Sequence, residues 1–99
     1  MIIVTGSALI RPGSIDDALR VSTEHVLRSR GEPGCISHAV FLEAENPRRL
    51  HFLERWSDMA ALKVHFAVPE SGAFVRALSA LASEPPSMEM YEATQLAHP

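Results

Sequence analysis

Proline and glycine residues divide this 99-residue chain into short segments that alternate between strand-like and helix-like patterns. Residues 2–10 are rich in β-branched and apolar types and predict a strand, which Arg11-Pro12-Gly13 ends. A helix is predicted to start at Ser14, where Asp17 is placed to complete a capping box. That helix is expected to stop at the breakers that follow it, Gly31, Pro33 and Gly34.

The rest of the chain predicts a hairpin, an interrupted helix and a last strand. Strands at 35–43 and 50–56 flank the turn residues 45–48. A helix capped by Ser57 runs to about residue 66, Pro69 interrupts it, a second piece reaches about residue 82, and 87–96 form the last strand. This β-α-β-β-α-β order predicts an α+β, ferredoxin-like fold with a four-stranded antiparallel sheet and its helices on one face.

The predicted strands carry apolar side chains on both faces. In 35–42, Ile36, His38, Val40 and Leu42 alternate with Cys35, Ser37, Ala39 and Phe41. An antiparallel sheet with one wet face normally alternates apolar and polar residues, and the helices cover only one face. A homodimer with its sheets packed face to face is therefore expected, and the alternative is a monomer with a partly apolar open sheet.

Composition narrows the classes of function. The length fits one domain, residues 1–99, and the formal charge of −3 without a basic stripe argues against a nucleic-acid partner. No apolar run is long enough to span a membrane, and the N-terminus lacks the pattern of a signal peptide. The lone Cys35 excludes an internal disulfide and fits a cytoplasmic protein, in which it serves as a small apolar residue or a nucleophile.

A carboxylate, an indole and an imidazole cluster where the third strand meets the following helix, at Glu54, Trp56 and His65. Together with the element order, these residues resemble the antibiotic biosynthesis monooxygenase (ABM) family of dimeric α+β barrel proteins. The motif positions that carry the resemblance are Glu54, Trp56, Asp58, Ala61, Leu62, His65 and Phe74. The resemblance implies oxidation of an electron-rich aromatic substrate by O2 without metal, haem or flavin, in a cavity between sheet and helices.

Such chemistry requires a base, donors for an oxyanion and walls that exclude water. His65 is the predicted base, because imidazole titrates near neutral pH. Trp56 is predicted to stack on the substrate and donate its N–H, unless it is a core residue. Glu54 shares the strand parity of Trp56 and either orients His65, accepts a proton, or pairs with Arg55 or Arg76.

Four further residues are predicted to bind substrate: His38, Phe52, Arg76 and Tyr91. His38 and His51 are expected to lie close together across the hairpin. With no third ligand at a recognisable spacing, this pair does not predict a metal site. Arg76 is placed either to hold an oxyanion or on the solvent side of its helix.

The chain departs from parts of the family pattern. Residues 70–82 contain no histidine that could ligate haem, and neither Asn in strand 50–56 nor Tyr in helix 58–66 is present for a polyketide. The sequence therefore favours a small phenol, quinol or enolisable carbonyl compound as substrate. An isomerase or lyase that uses the same base, and a non-catalytic dimeric ligand-binding module, are the alternatives.

Overall fold

Four strands form one antiparallel sheet, and three helices cover one of its faces, in a computed structural model that describes residues 1–99. The elements in chain order are β1 Ile2–Leu9, α1 Ile15–Ser29, β2 Cys35–Glu43, β3 Asn46–Trp56, α2 Met59–Ala67, α3 Pro69–Leu81 and β4 Ser87–Glu92. The strand order is β2-β3-β1-β4. This confirms the ferredoxin-like class. No helix has the length and apolar character needed to cross a membrane.

The interrupted second helix is two helices, so the order is β-α-β-β-α-α-β. Val68 is extended and serves both as the C-cap of α2 and the N-cap of α3. Pro69 takes the first position of α3, where its missing N–H leaves no hydrogen bond unmade. The break re-aims the chain, so that α2 and α3 meet the sheet separately.

Of the two predicted helix caps, Ser14 is right in position only, and Ser57 is wrong. Ser14 precedes α1 but its side chain makes no capping hydrogen bond, because its backbone is not extended (φ −110°, ψ 4°). Asp58, and not Ser57, caps α2: it is extended and accepts a hydrogen bond of 2.8 Å from the backbone N–H of Ala61. A capping carboxylate also suits the positive end of the helix dipole.

The strand boundaries also differ from the prediction. The turn of the hairpin is shorter than residues 45–48, because β3 already begins at Asn46. Pro47 is tolerated there because it precedes Arg49, the first residue of β3 that pairs with β1. The last strand ends at Glu92 and not at 96, since Ile2 of β1 is its last ladder partner.

The buried side of the sheet faces the helices. Ala8, Ile10, Leu50 and Phe52 pack with Ala18 and Leu78, while Ile2, Val4, Trp56 and Leu62 form a second buried cluster. The opposite side is open and carries the exposed side chains of Phe41, Leu53 and Tyr91. The outer side chains are thus a mixture of apolar and polar types.

Gly34 brings the start of β2 against the start of α2. Its φ of +83° is in the left-handed region that favours glycine. A Cβ at this position would lie 2.5 Å from the Cβ of Ala61 and 2.8 Å from the Oγ of Ser57. The carbonyl of Gly34 also accepts a 2.8 Å hydrogen bond from the N–H of Ser57. This contact fixes the junction at which β3 turns into the helix that carries His65.

Candidate active site

A cavity of about 280 Å³ lies between the helices and the inner side of the sheet. Its walls are largely apolar, and its titratable side chains form one cluster. The lining includes the apolar side chains of Phe52, Phe74 and Leu78 together with the imidazoles of His25, His38 and His65 and the carboxylate of Glu54. Gly6 of β1 pairs with Phe52 and leaves room where any other residue would project a side chain. The arrangement joins a polar cluster to an apolar chamber.

His65 lies at the last turn of α2 and is only 2% exposed. Its Nδ1 is 3.0 Å from Oε1 of Glu32, a residue of the turn between α1 and β2. Its Nε2 lies 3.8 Å from Oε1 of Glu54. A carboxylate only accepts, so Nδ1–H donates to Glu32 and Nε2 is left with the lone pair. This is the arrangement of a histidine base oriented by a carboxylate.

Glu54 holds the other side of the cluster from β3. Its Oε1 accepts a 2.9 Å hydrogen bond from the indole N–H of Trp56. Burial alone would raise the pKa of this carboxyl, but the contacts with His38, Trp56 and His65 outweigh it and lower the pKa. Glu54 is therefore an ionised group, and neither Arg55 nor Arg76 pairs with it.

Trp56 does not reach the cavity, which corrects its predicted role. The residue is completely buried among Ile2, Val4 and Leu62, and its N–H is already used by Glu54. Its ring lies 4.5 Å from that of His65, centre to centre. Trp56 therefore packs against His65 and binds the carboxylate of Glu54, and it does not stack on a substrate.

His38 projects from β2 into the same cluster and is 1% exposed. Its Nε2 lies 3.2 Å from Oε1 of Glu54 without a hydrogen bond between them, and Nδ1 has no partner. A buried imidazole with both nitrogens unpaired is costly unless something else binds it. His38 thus offers unused hydrogen-bonding capacity beside the cavity.

His25, on α1, completes the cluster and was not predicted from the sequence. Its ring stacks on Phe74 with centroids 4.0 Å apart and planes within 3°. Its Nδ1 lies 3.1 Å from the guanidinium of Arg28, which also binds Ser71 and Glu32. Burial first, and then the neighbouring His38, His65 and Arg28, lower the pKa of His25 to about 3, although Glu54 opposes them. The ring is neutral at physiological pH.

The pKa of His65 is also lowered, and burial is the main cause. The hydrogen bond and charge of Glu32 act in the opposite direction but do not compensate. Only the neutral form of His65 can accept a proton. Because its pKa is lowered, His65 stays neutral, and can act as a base, at pH values below the usual titration range of histidine.

The three imidazoles His25, His38 and His65 have ring nitrogens within 4.8 Å of one another, the kind of set that can bind a transition metal. The contact between Nδ1 of His25 and Arg28 does not suit a histidine that binds a metal. A metal-bound histidine normally donates its other N–H to an acceptor, whereas Nδ1 of His25 faces the donor Arg28. With Nδ1 accepting from Arg28, the proton of the neutral His25 ring lies on Nε2, which then has no lone pair for a metal.

The remaining predicted residues divide between the cavity and the surface. Phe52 lines the cavity, as expected. Arg76 is exposed on α3 and Tyr91 lies on the outer side of the sheet, where its hydroxyl donates to Glu89. Neither of the two reaches the cavity. His51 is not a neighbour of His38, because it pairs with Phe41 and binds Glu43 on the outer side.

Cys35 is half-buried, and burial together with the charges of Glu32 and Glu54 raises the pKa of its thiol. A raised pKa leaves little thiolate at neutral pH, which favours the structural role over the nucleophile.

Three residues of the cluster were not predicted as site residues from the sequence: His25, Arg28 and Glu32. A signal existed for His25, because it lies on the same helical stripe as the buried Ala18, Ser22 and Ser29. Glu32 gave none, since it stands in the turn after α1, outside any periodic pattern.

Comparisons with known proteins agree with this architecture. A crystal structure of an antibiotic biosynthesis monooxygenase superposes with a TM-score of 0.88 and 28% identity, over 96% of this chain and all of the other. A protein of Deinococcus radiodurans shares the fold with a TM-score of 0.93 and 21% identity, over 99% of this chain and 97% of its own.

The uncharacterized protein sll1783 of Synechocystis sp. is 30% identical over 91 residues, which are 92% of this chain. This chain spans only 62% of the length of that relative. The sequence profile that describes antibiotic biosynthesis monooxygenases matches residues 1–77, from β1 through most of α3. The chain belongs to the antibiotic biosynthesis monooxygenase family.

Proposed function

We propose that this protein is a cofactor-independent monooxygenase that oxidises a small, electron-rich phenol, quinol or enolisable carbonyl compound with O2. The observation that carries the proposal is the pairing of His65 with Glu32 beside a largely apolar cavity. The carboxylate fixes Nδ1–H, so Nε2 is the proton acceptor on the side of Glu54. His65 is the base in this mechanism.

The reaction needs a substrate that becomes a good electron donor when it loses a proton. For a methylene next to an aromatic ketone, His65 takes one C–H proton, and the electron pair is delocalised onto the oxygen. The anion gives one electron to O2, and the radical pair combines to a peroxide that takes the proton back from His65. Loss of the second C–H proton breaks the O–O bond. The methylene and O2 thus become a carbonyl group and water.

The cavity suits a small substrate. Its volume of about 280 Å³ lies just below the usual range of ligand pockets, roughly 300–1,000 Å³. Phe52 and Phe74 meet edge to face at 5.8 Å and provide flat apolar walls for a ring. Apolar walls also keep bulk water from a carbanion that it would protonate.

Oxygen uptake with a panel of small quinols, phenols and anthrone tests the proposal. His65→Ala should lower kcat at least 100-fold, because general bases contribute about 10² to 10⁴. His98→Ala, in the exposed C-terminal segment, is the control and should retain full activity.

Two results would contradict the oxygenase. Turnover that persists without oxygen would assign the same base to an isomerase or lyase. Ligand binding without any turnover across the panel would favour a binding module.

We also propose that a second copy of the chain covers the outer side of the sheet. The side chains of Phe41 and Leu53 are 53% and 41% exposed there, and Tyr91 is 49% exposed. Apolar side chains grouped on one open sheet face are typical of an interface. A two-fold related copy would pair the same surface with itself.

A further inference from the structure

His25 is held by a group that can only donate a hydrogen bond. The guanidinium of Arg28 approaches Nδ1 of His25 to 3.1 Å, and a guanidinium has no acceptor. Nδ1 must therefore carry the lone pair, and the proton of the neutral ring is on Nε2. Nε2 makes no hydrogen bond within the protein, and the ring borders the cavity. The contact with Arg28 thus selects one tautomer.

His65 is held in the opposite way by the same ion pair. Arg28 and Glu32 are joined at 2.8 Å, and the second oxygen of Glu32 accepts from Nδ1 of His65. The ring centroids of His25 and His65 are 5.3 Å apart. One ion pair therefore leaves an N–H on one imidazole and a lone pair on the other, both beside the same cavity.

The orientation of His25 is fixed from two further directions. Phe74 stacks flat on the ring at 4.0 Å, and Ser71 binds the guanidinium at 3.1 Å from the first turn of α3. The ring is 7% exposed. A donor that is held in place before the substrate binds needs no reorganisation when charge develops, which is the condition for efficient stabilisation of an oxyanion.

We propose that His25 is a catalytic residue whose Nε2–H binds the substrate oxygen that becomes negative when His65 removes a proton, and that Arg28 is the positioning residue that sets its tautomer. The inference rests on the proposed role of His65 as base. In this step the C–H or O–H bond of the substrate breaks and the proton moves to Nε2 of His65. The electron pair stays on the substrate and is delocalised onto the oxygen that His25 holds. No oxidant takes part in this step.

Nitrogen NMR of the imidazoles tests the tautomers without any substrate. In the wild-type protein at pH 7 we expect Nε2 of His25 and Nδ1 of His65 to carry the protons. Arg28→Met should let His25 exchange between both tautomers. The matched control is Arg20→Met, because Arg20 forms an exposed i,i+4 pair with Glu24 on the same helix and touches no histidine. A proton on Nδ1 of His25 in the wild-type protein would overturn the inference.

Binding of 4-nitrophenol tests the donor. This probe has one ring and an oxygen whose ionisation is visible by absorbance. His25→Ala should reduce the preference for phenolate over phenol by about 10- to 100-fold, the value of a hydrogen bond to a charged group. His25→Gln should restore part of it, since its amide also donates. An unchanged preference in His25→Ala would refute the oxyanion role.

Turnover then separates catalysis from positioning. His25→Ala should lower kcat by about 10² to 10³ with little change of KM, the usual loss for one oxyanion donor. Arg28→Met should lower kcat less. The NMR and nitrophenol results do not depend on oxygen consumption. If they agree with expectation while no substrate consumes oxygen, the donor assignment stands and the proposed oxygenase fails.

Discussion

Acid destabilisation that originates at His25 is the most direct consequence of the buried cluster. The pKa of His25 is lowered from 6.5 to about 3. Between these two pH values the unfolded chain binds a proton at His25, and the folded protein does not. Stability from this residue is fully present above pH 6.5 and is lost as the pH falls toward 3. The linkage relation with folded and unfolded pKa values of about 3 and 6.5 gives a loss of about 2 kcal/mol in the free energy of unfolding between pH 7 and pH 5.

Because His25 keeps 7% exposure and its surroundings relax on protonation, we expect roughly half of that loss, about 1 kcal/mol. Urea unfolding of the wild-type protein and of His25→Gln, from pH 7.5 to 5, measures it. The variant lacks the titrating group, so the stability difference between the two proteins should shrink by about 1 kcal/mol on acidification. His98→Gln, in the exposed C-terminal segment, should run parallel to the wild-type protein. A difference that is independent of pH, or that grows in acid, would refute the reasoning.

Three other predictions concern the base, the fold and the assembly. The kcat/KM profile should show a one-proton acid limb with a midpoint below 6.5, since burial lowers the pKa of His65 and its neutral form is required; a midpoint above 6.5 would contradict this. Gly34→Ala should lower the free energy of unfolding by about 2–4 kcal/mol through its φ of +83° and the clash with Ala61. Gly13→Ala, at a φ of +85° in open space, should cost only about 1 kcal/mol in the same denaturation experiment. Light scattering should give a molar mass of twice 10.9 kDa, and the mass of the Phe41→Asp variant should be half of that value. A monomeric wild-type protein would refute the dimer.

The fold was predictable because the residues that end its helices and strands can be recognised from the local sequence. Pro69 and the glycines at 31 and 34 mark ends that the structure also shows, and the strand parity correctly placed Glu54 and Trp56 on the same side of the sheet. Parity failed in β2, where the register shifts between Cys35 and Ser37. Ile36 lies at that irregularity and is 49% exposed, although strict alternation would bury it with His38.

The site was less predictable, because its contacts join distant parts of the chain. His65 and Glu54 lie close in sequence and were identified, but the partner of His65 is Glu32, 33 positions away. No local pattern indicates that the turn after α1 passes the end of α2. The sequence left the role of Trp56 open between substrate stacking and the core, because a tryptophan at a strand end has the same sequence pattern whether its ring faces a cavity or the core.

The ion pair between Arg28 and Glu32 also sets the charge that a ligand meets. The charged side chains in contact with His25 and His65 are the guanidinium of Arg28 and the carboxylates of Glu32 and Glu54, one positive against two negative. Together these three groups carry a net charge of −1. A neutral ligand leaves this net charge unchanged even when its proton moves to His65, whereas a carboxylate would double it and a phosphate group would raise it further. A ligand that enters uncharged and transfers its proton to His65 inside the cavity therefore meets less repulsion than one that enters as an anion.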